Sequence, residues 1–278
     1  MVEFLQYDFM QRALVAAVLV GLAAPSVGIF LVQRRLALMG DGMGHVALTG
    51  VALGLLMGWA PVGVALVTAA TGAVVIELLR TRGRTTSDLA LAIMFYGGIA
   101  GGVVLIAKAP GASALSLNQY LFGAITTTTP ADLAVFAALA FVVLIVTIGL
   151  SRHLFAVAND EEYARASGLP VLPLNIVLAV LTATTVVVSM RIVGLLLISA
   201  LMVVPVATAQ LFARSFRTTF AYSLGIGLGC AVVGVSASYY TNTPSGGSIV
   251  LCAIALFAAT AVLTALLRTR SRPAEVTV

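Results

Sequence analysis

The sequence predicts an all-α integral membrane protein: a polytopic helical bundle of about nine transmembrane helices (eight in the alternative count). Three observations predict it. Of 278 residues, 61% are hydrophobic and only 9% charged, against about 25% charged in a soluble domain. The mean hydropathy is +1.12. The apolar residues form long continuous runs, not the alternating segments of about ten residues that mark a β-barrel. So few charges cannot cover a water-soluble globule, so the solvent is lipid. A spanning segment needs roughly 20 apolar residues, and a helix closes all its backbone hydrogen bonds within one such run.

Nine runs meet this requirement, at about 10–33, 36–58, 62–80, 88–107, 131–150, 170–189, 191–212, 218–240 and 246–267. Arg34 and Arg35 close the first run, and Trp59 ends the second as an interfacial aromatic. Arg80, Arg82 and Arg84 close the third, and "TTSD" at 85–88 reads as the cap of the fourth. Pro130 and Asp132 open the fifth, and Gly168 and Pro170 stop a short polar helix before the sixth. Arg214 and Arg217 follow the seventh; Arg268, Arg270 and Arg272 follow the ninth. With Arg152 and Arg165 after the fifth, twelve of the fifteen basic residues lie at the ends of odd-numbered runs. The positive-inside rule then puts the N-terminus outside and the C-terminus in the cytoplasm.

The chain reads as a single transmembrane domain, 1–278, with two connections longer than turns. An amphipathic segment at about 109–130 is expected on the outer face. The polar stretch 151–170, with Asp160, Glu161 and Glu162, is expected to form a short cytoplasmic helix at about 158–170. Small residues four apart suggest close helix packing at Gly50, Gly54 and Gly58, Gly97 with Gly101, Gly98 with Gly102, and Gly225 with Gly229.

Several function classes drop out. The one lysine, Lys108, forms no G-x-x-x-x-G-K-[ST] loop, and neither H-E-x-x-H nor G-x-S-x-G occurs. The chain is therefore not expected to be an enzyme. The net charge of +5 lies at span ends, as topology signals and not a nucleic-acid surface. Cys230 and Cys252 fall in apolar runs and suggest neither a disulfide framework nor a metal motif. The first fifteen residues carry Glu3 and Asp8 where a cleavable signal would be basic.

Ionisable groups inside spans are functional candidates by default. Glu77, three residues before Arg80, reads as half of a snorkelling pair. Asp41 and His45, in "LALMGDGMGHVALTG", differ: a spacing of four puts both on one face of the second helix. A carboxylate costs several kcal/mol in apolar surroundings unless paired or metal-bound. Carboxylate with neutral imidazole is a common ligand set for zinc, manganese or iron. A hydrogen-bonded Asp–His packing pair fits the spacing equally well.

Five stretches resemble the permease subunit of ABC-type importers for zinc, manganese or iron(II). They are "RRLALMGDGMGHVALTGVALG" (34–54), "TTSDLALAIMFYGG" (85–98), "YLFGAI" (120–125), "EEYARASGLP" (161–170) and "RIVGLLLISALMVVPVATA" (191–209). The resemblance spans nearly the whole chain. It implies a permease in the cell membrane of a prokaryote, paired with a second copy around a central pathway. It further implies a cytoplasmic ATP-binding-cassette ATPase below and an extracytoplasmic metal-binding protein above. The transient metal site falls on Asp41 and His45, the cargo being zinc first, manganese or iron next, with no resident cofactor. The ATPase-coupling element falls on Asp160, Glu161, Glu162, Ala164, Arg165, Gly168 and Leu169. Where the family carries small residues before the histidine, this chain has Gly42-Met43-Gly44, which suggests a more flexible site with Met43 as a soft contact. Pro205 marks a candidate mobile helix. Two other classes stay open: a secondary transporter or channel using Asp41 and His45 as a relay, and an ABC permease for an organic metal chelate. The single tryptophan and few mid-span aromatics argue against the latter.

Overall fold

The computed structural model describes residues 6–81, 87–109, 120–121, 123 and 128–270. Every regular element among them is a helix: α1 (Asp8–Gln33), α2 (Met39–Met57), α3 (Pro61–Thr81), α4 (Ser87–Ile106), α5 (Pro130–Gly149), α6 (Ser151–Asn159), α7 (Glu161–Ala166), α8 (Val171–Val193), α9 (Leu195–Gln210), α10 (Phe216–Thr241) and α11 (Ser245–Arg270). Eight of them are long and apolar enough to cross a bilayer; α9, with 16 residues, is shorter. The chain is a multi-pass membrane protein.

The expected seventh span begins later than its charge pattern suggests. Arg191 looked like a boundary, but its guanidinium reaches Asp132 on α5 at 3.0 Å, so α8 continues through Val193. The break falls at Gly194, whose φ of 86° and ψ of 153° suit glycine alone. The apolar run thus divides into a longer α8 and a shorter α9.

Burial sorts the helices into inner and outer sets. α1, α2 and α8 are largely buried, whereas α11 buries almost none of its surface. α1 runs through the centre against α10, α9 and α5; α2 lies between α3 and α4. At the crossing of α1 and α10, a Cβ on Gly227 would meet Gly21 O at 2.5 Å and Pro25 Cγ at 2.6 Å, so only glycine permits this approach. The expected partners Gly225 and Gly229 face open space instead: the packing stripe of α10 lies on Gly227 and Gly234. Pro205 is buried within α9. Cys230 and Cys252 are free thiols.

Helix ends follow local chemistry. Thr129 and Asp132 form a reciprocal capping box behind Pro130. Asp160 accepts from the Tyr163 amide to start α7, and Gly168, at φ 80°, ends it, with Leu169 N–H donating to Ala164 O. The expected short helix at 158–170 is thus confined to Glu161–Ala166. Most of the amphipathic stretch 109–130, residues 85–86 of the expected cap, and Arg82, Arg84 and Arg272 lie outside the described residues.

Candidate metal site and its surroundings

The turn between α1 and α2 sets the register of the candidate pair. Leu36 N–H donates to Leu31 O, and Arg35 N–H to Val32 O. This is a Schellman closure whose left-handed position is filled by Arg35 (φ 59°) and not by glycine. A non-glycine residue there costs on the order of 1–2 kcal/mol. Four residues after Arg35, α2 begins, and Asp41 occupies its first turn, where a negative charge complements the helix dipole.

Asp41 and His45 share a face, with His45 Nε2 3.9 Å from Asp41 Oδ1. That gap is too long for a hydrogen bond, which disfavours the packing-pair alternative. Two ligands on one tetrahedral ion stand about 3.4 Å apart, so a small inward adjustment lets both bind the same cation. His45 Nδ1 is buried without a hydrogen-bond partner. The imidazole stands edge-on to Phe95, ring centroids 4.6 Å apart at 76°. Asp41 opens into a groove of about 350 Å³ lined by Leu38, Leu91, Ala92, Phe95 and Tyr96. Leu38 and Tyr96 are exposed, so the groove faces away from the bundle.

Backbone packing around the pair explains the glycines. A Cβ on Gly98 of α4 would lie 2.6 Å from the His45 carbonyl carbon, so α4 touches the main chain at the site itself. Thr49 Oγ1 donates to Gly98 O at 2.7 Å and fixes this contact. A Cβ on Gly44 would overlap Leu195 at the start of α9, and one on Gly40 would press on Met202 Sδ at 3.0 Å. Gly44 and Gly40 therefore bring α9 against α2, whereas a Cβ on Gly42 would meet only Leu91 O and Met94 Cβ at 3.9 Å, an ordinary contact. Met43 is fully buried in the core and is not on the ligand face. Among the described residues, no three His, Cys, Asp or Glu side chains converge as a complete metal set.

Of the residues expected at the polar stretch, Glu162 and Arg165 of α7 face solvent, as does Gly168 beyond it, while Ala164 is buried and Leu169 packs on the core. Asp160 is exposed at the cap. Glu161 turns inward and enters a cluster that the sequence did not reveal. Arg80 Nη2 donates to Glu77 Oε1 at 2.7 Å and Glu161 Oε2 at 2.8 Å. Arg34 Nη2 stands 3.6 Å from Glu77 and 3.9 Å from Glu161. Glu77 is only 1% exposed, so it does not snorkel; it is the buried hub of the cluster. Burial lowers the Arg34 pKa from its ordinary value; the Glu77 and Glu161 charges oppose that effect, and Arg80 adds to it. The double arginine and the lone acid of the third run were the available signals, but their partner on α7 is remote in sequence.

A model of the ABC 3 transport family matches residues 6–264. The chain is 32% identical over 259 residues to the manganese import system permease protein ScaB of Streptococcus gordonii, covering 92% of each protein. It is 32% identical over 256 residues to the manganese transport system membrane protein MntC of Halalkalibacterium halodurans, covering 92% of this chain and 87% of that one. Among solved structures, PsaBC from Streptococcus pneumoniae in complex with Fab matches with a TM-score of 0.81 at 32% identity, covering 92% of each chain.

Proposed function

Since the chain belongs to the ABC 3 transport family, we propose that it is the membrane permease subunit of an importer that moves a divalent transition metal into the cytoplasm. Manganese is the leading cargo. Carboxylate plus imidazole suits manganese, zinc and iron alike; the names of the relatives, which specify manganese, are what put that ion first here.

One observation carries this reading. Asp41 and His45 are aligned but not bonded to each other, 3.9 Å apart, beside a groove that opens outward from the bundle. A carboxylate facing lipid through that groove would be costly. A second copy set groove to groove would close it and bring four ligands together. The ion would pass between the two α2 faces, held loosely enough to leave.

The remaining parts follow from charge and exposure. The end of the bundle that carries Arg34, Arg152, Arg214 and Arg217 is the cytoplasmic one. There Glu162, Tyr163 and Arg165 of α7 project outward to meet a separate ATPase, with Asp160 and Gly168 shaping the helix ends. The opposite face, with Trp59 and Lys108, receives the metal-binding protein.

The test is uptake of radioactive manganese and zinc by cells that depend on this chain and its partner subunits. Asp41→Ala and His45→Ala should each reduce manganese uptake to background at normal expression, and the purified wild-type dimer should bind one manganese ion per two chains. Wild-type uptake by both variants would remove the site assignment.

A further inference from the structure

Resting on the reading of α7 as the ATPase-contacting element, we infer that Arg34, Glu77, Arg80 and Glu161 form the link that carries movement of α7 to the turn before α2, and so to Asp41 and His45.

The connectivity is direct. Glu161 is the first residue of α7. Its side chain points inward to Arg80, while its neighbours Glu162 and Tyr163 point out. Glu77 and Arg80 belong to α3, which packs along α2. Arg34 stands at the end of α1, one short turn ahead of the helix that bears the metal ligands. A displacement of α7 therefore pulls on Glu161, then on the two guanidiniums, then on the entry of α2.

The cluster is also asymmetric. Arg80 holds both carboxylates at hydrogen-bond distance. Arg34 is more deeply buried, with its side chain 6% exposed against 19% for Arg80, yet its Nη2 has no hydrogen-bond partner. A buried charged donor left in this state is costly. A shift of about 1 Å would bring Glu77 or Glu161 within bonding distance of Arg34. Arg34 and Arg80 compete for Glu77 and Glu161, the latter also reached from the solvent side by Arg165 at 3.4 Å, and this competition provides two discrete arrangements, which a packed interior transmits better than a continuous deformation.

The adjoining backbone is suited to move with them. Arg35 is held in the left-handed region at φ 59° by the Schellman hydrogen bonds of Leu36 and Arg35. Releasing those bonds releases unfavourable backbone geometry, so the turn resists a change of direction less than a continuous helix would. Arg34 thus acts as a positioning residue. It does not touch the ion; it sets where α2 begins.

The experiment uses the complete importer, this permease with its ATPase and binding protein, reconstituted in liposomes. ATP hydrolysis and manganese entry are measured on the same vesicles. Arg34→Gln should keep ATP turnover within about twofold of wild type and lose about tenfold in manganese moved per ATP. Glu162→Ala, on α7 but outside the cluster, reports on the ATPase contact itself. If Glu162→Ala uncouples while Arg34→Gln transports normally, the link is overturned and the role of α7 stands. If neither variant uncouples, both are overturned. A proportional fall in ATP turnover and uptake for Arg34→Gln also overturns the link, since Arg34 would then serve assembly alone. Should Arg34→Gln fail to assemble, Glu161→Gln at the outer edge of the cluster is decided by the same ratio.

Discussion

The Asp41–His45 pair and the Arg34–Glu77–Arg80–Glu161 cluster both place charge in an apolar bundle, but they resolve its cost differently. In the cluster two carboxylates meet two guanidiniums, and Glu77 is sealed from solvent. At the pair, acid and imidazole stand 3.9 Å apart, one ring nitrogen has no partner, and a groove leads outward. The first arrangement neutralises itself within one chain. The second is left incomplete, which suits a position that must accept a ligand and give it up again. Charge balanced within the chain serves to join its segments; charge left beside an outward groove serves as a site.

The sharpest way to break that contrast is to remove one charge from the cluster. Glu77→Gln leaves Arg34 and Arg80 facing Glu161 alone, in the least exposed part of the network. Breaking a buried ion pair by deleting one partner costs about 3–5 kcal/mol. Denaturant or thermal unfolding of the purified permease should show a loss of that size. A loss below about 1 kcal/mol, the range of surface pairs, would mean that water reaches the cluster freely.

Much of this architecture is legible from the chain alone, because lipid demands long apolar helices and arginines mark their ends. The division at Gly194 is not legible. The run from α8 into α9 stays apolar on both sides, and Arg191 resembles a boundary until its partner Asp132 is seen on another helix. The candidate site is half legible for the same reason. A spacing of four aligns Asp41 with His45, but nothing local shows that Gly98 of α4 presses on the His45 backbone. The charge cluster joins three segments remote in sequence, so only the Glu77–Arg80 spacing could be anticipated, and it suggested snorkelling where the fold buries the acid.

The next effect concerns the scaffold of the site. Gly98→Ala places a methyl group 2.6 Å from the His45 carbonyl carbon and 2.7 Å from Val46 N, both main-chain atoms that cannot turn aside. Overpacking of this kind costs about 1–3 kcal/mol, and it should also move Phe95 away from the imidazole and reduce transport. Gly97→Ala is the internal control. Nothing lies within 4 Å of its added Cβ, so the same substitution one residue earlier should be neutral or stabilise the helix by up to about 1 kcal/mol. Equal unfolding midpoints for the two variants would show that α4 and α2 can separate without loss.

The smallest effect has the opposite sign to the first. Asp41 in the metal-free protein has the first-turn dipole of α2 but no hydrogen-bonded cation to offset its place in an apolar groove; His45 Nε2 stands 3.9 Å away. Asp41→Asn preserves shape and removes the charge from a groove lined by Leu38, Leu91, Ala92, Phe95 and Tyr96. Residues held for function at a cost in stability are stabilising when replaced. Unfolding of the purified chain in the presence of a chelator should therefore show a change within about 1 kcal/mol, in the stabilising direction. Added manganese should raise the midpoint of the wild type, by ligand linkage, and leave the variant where it is. A destabilisation of about 2 kcal/mol or more would place Asp41 with Glu77 among the structural charges, and the distinction between the two regions would fail at its more important end.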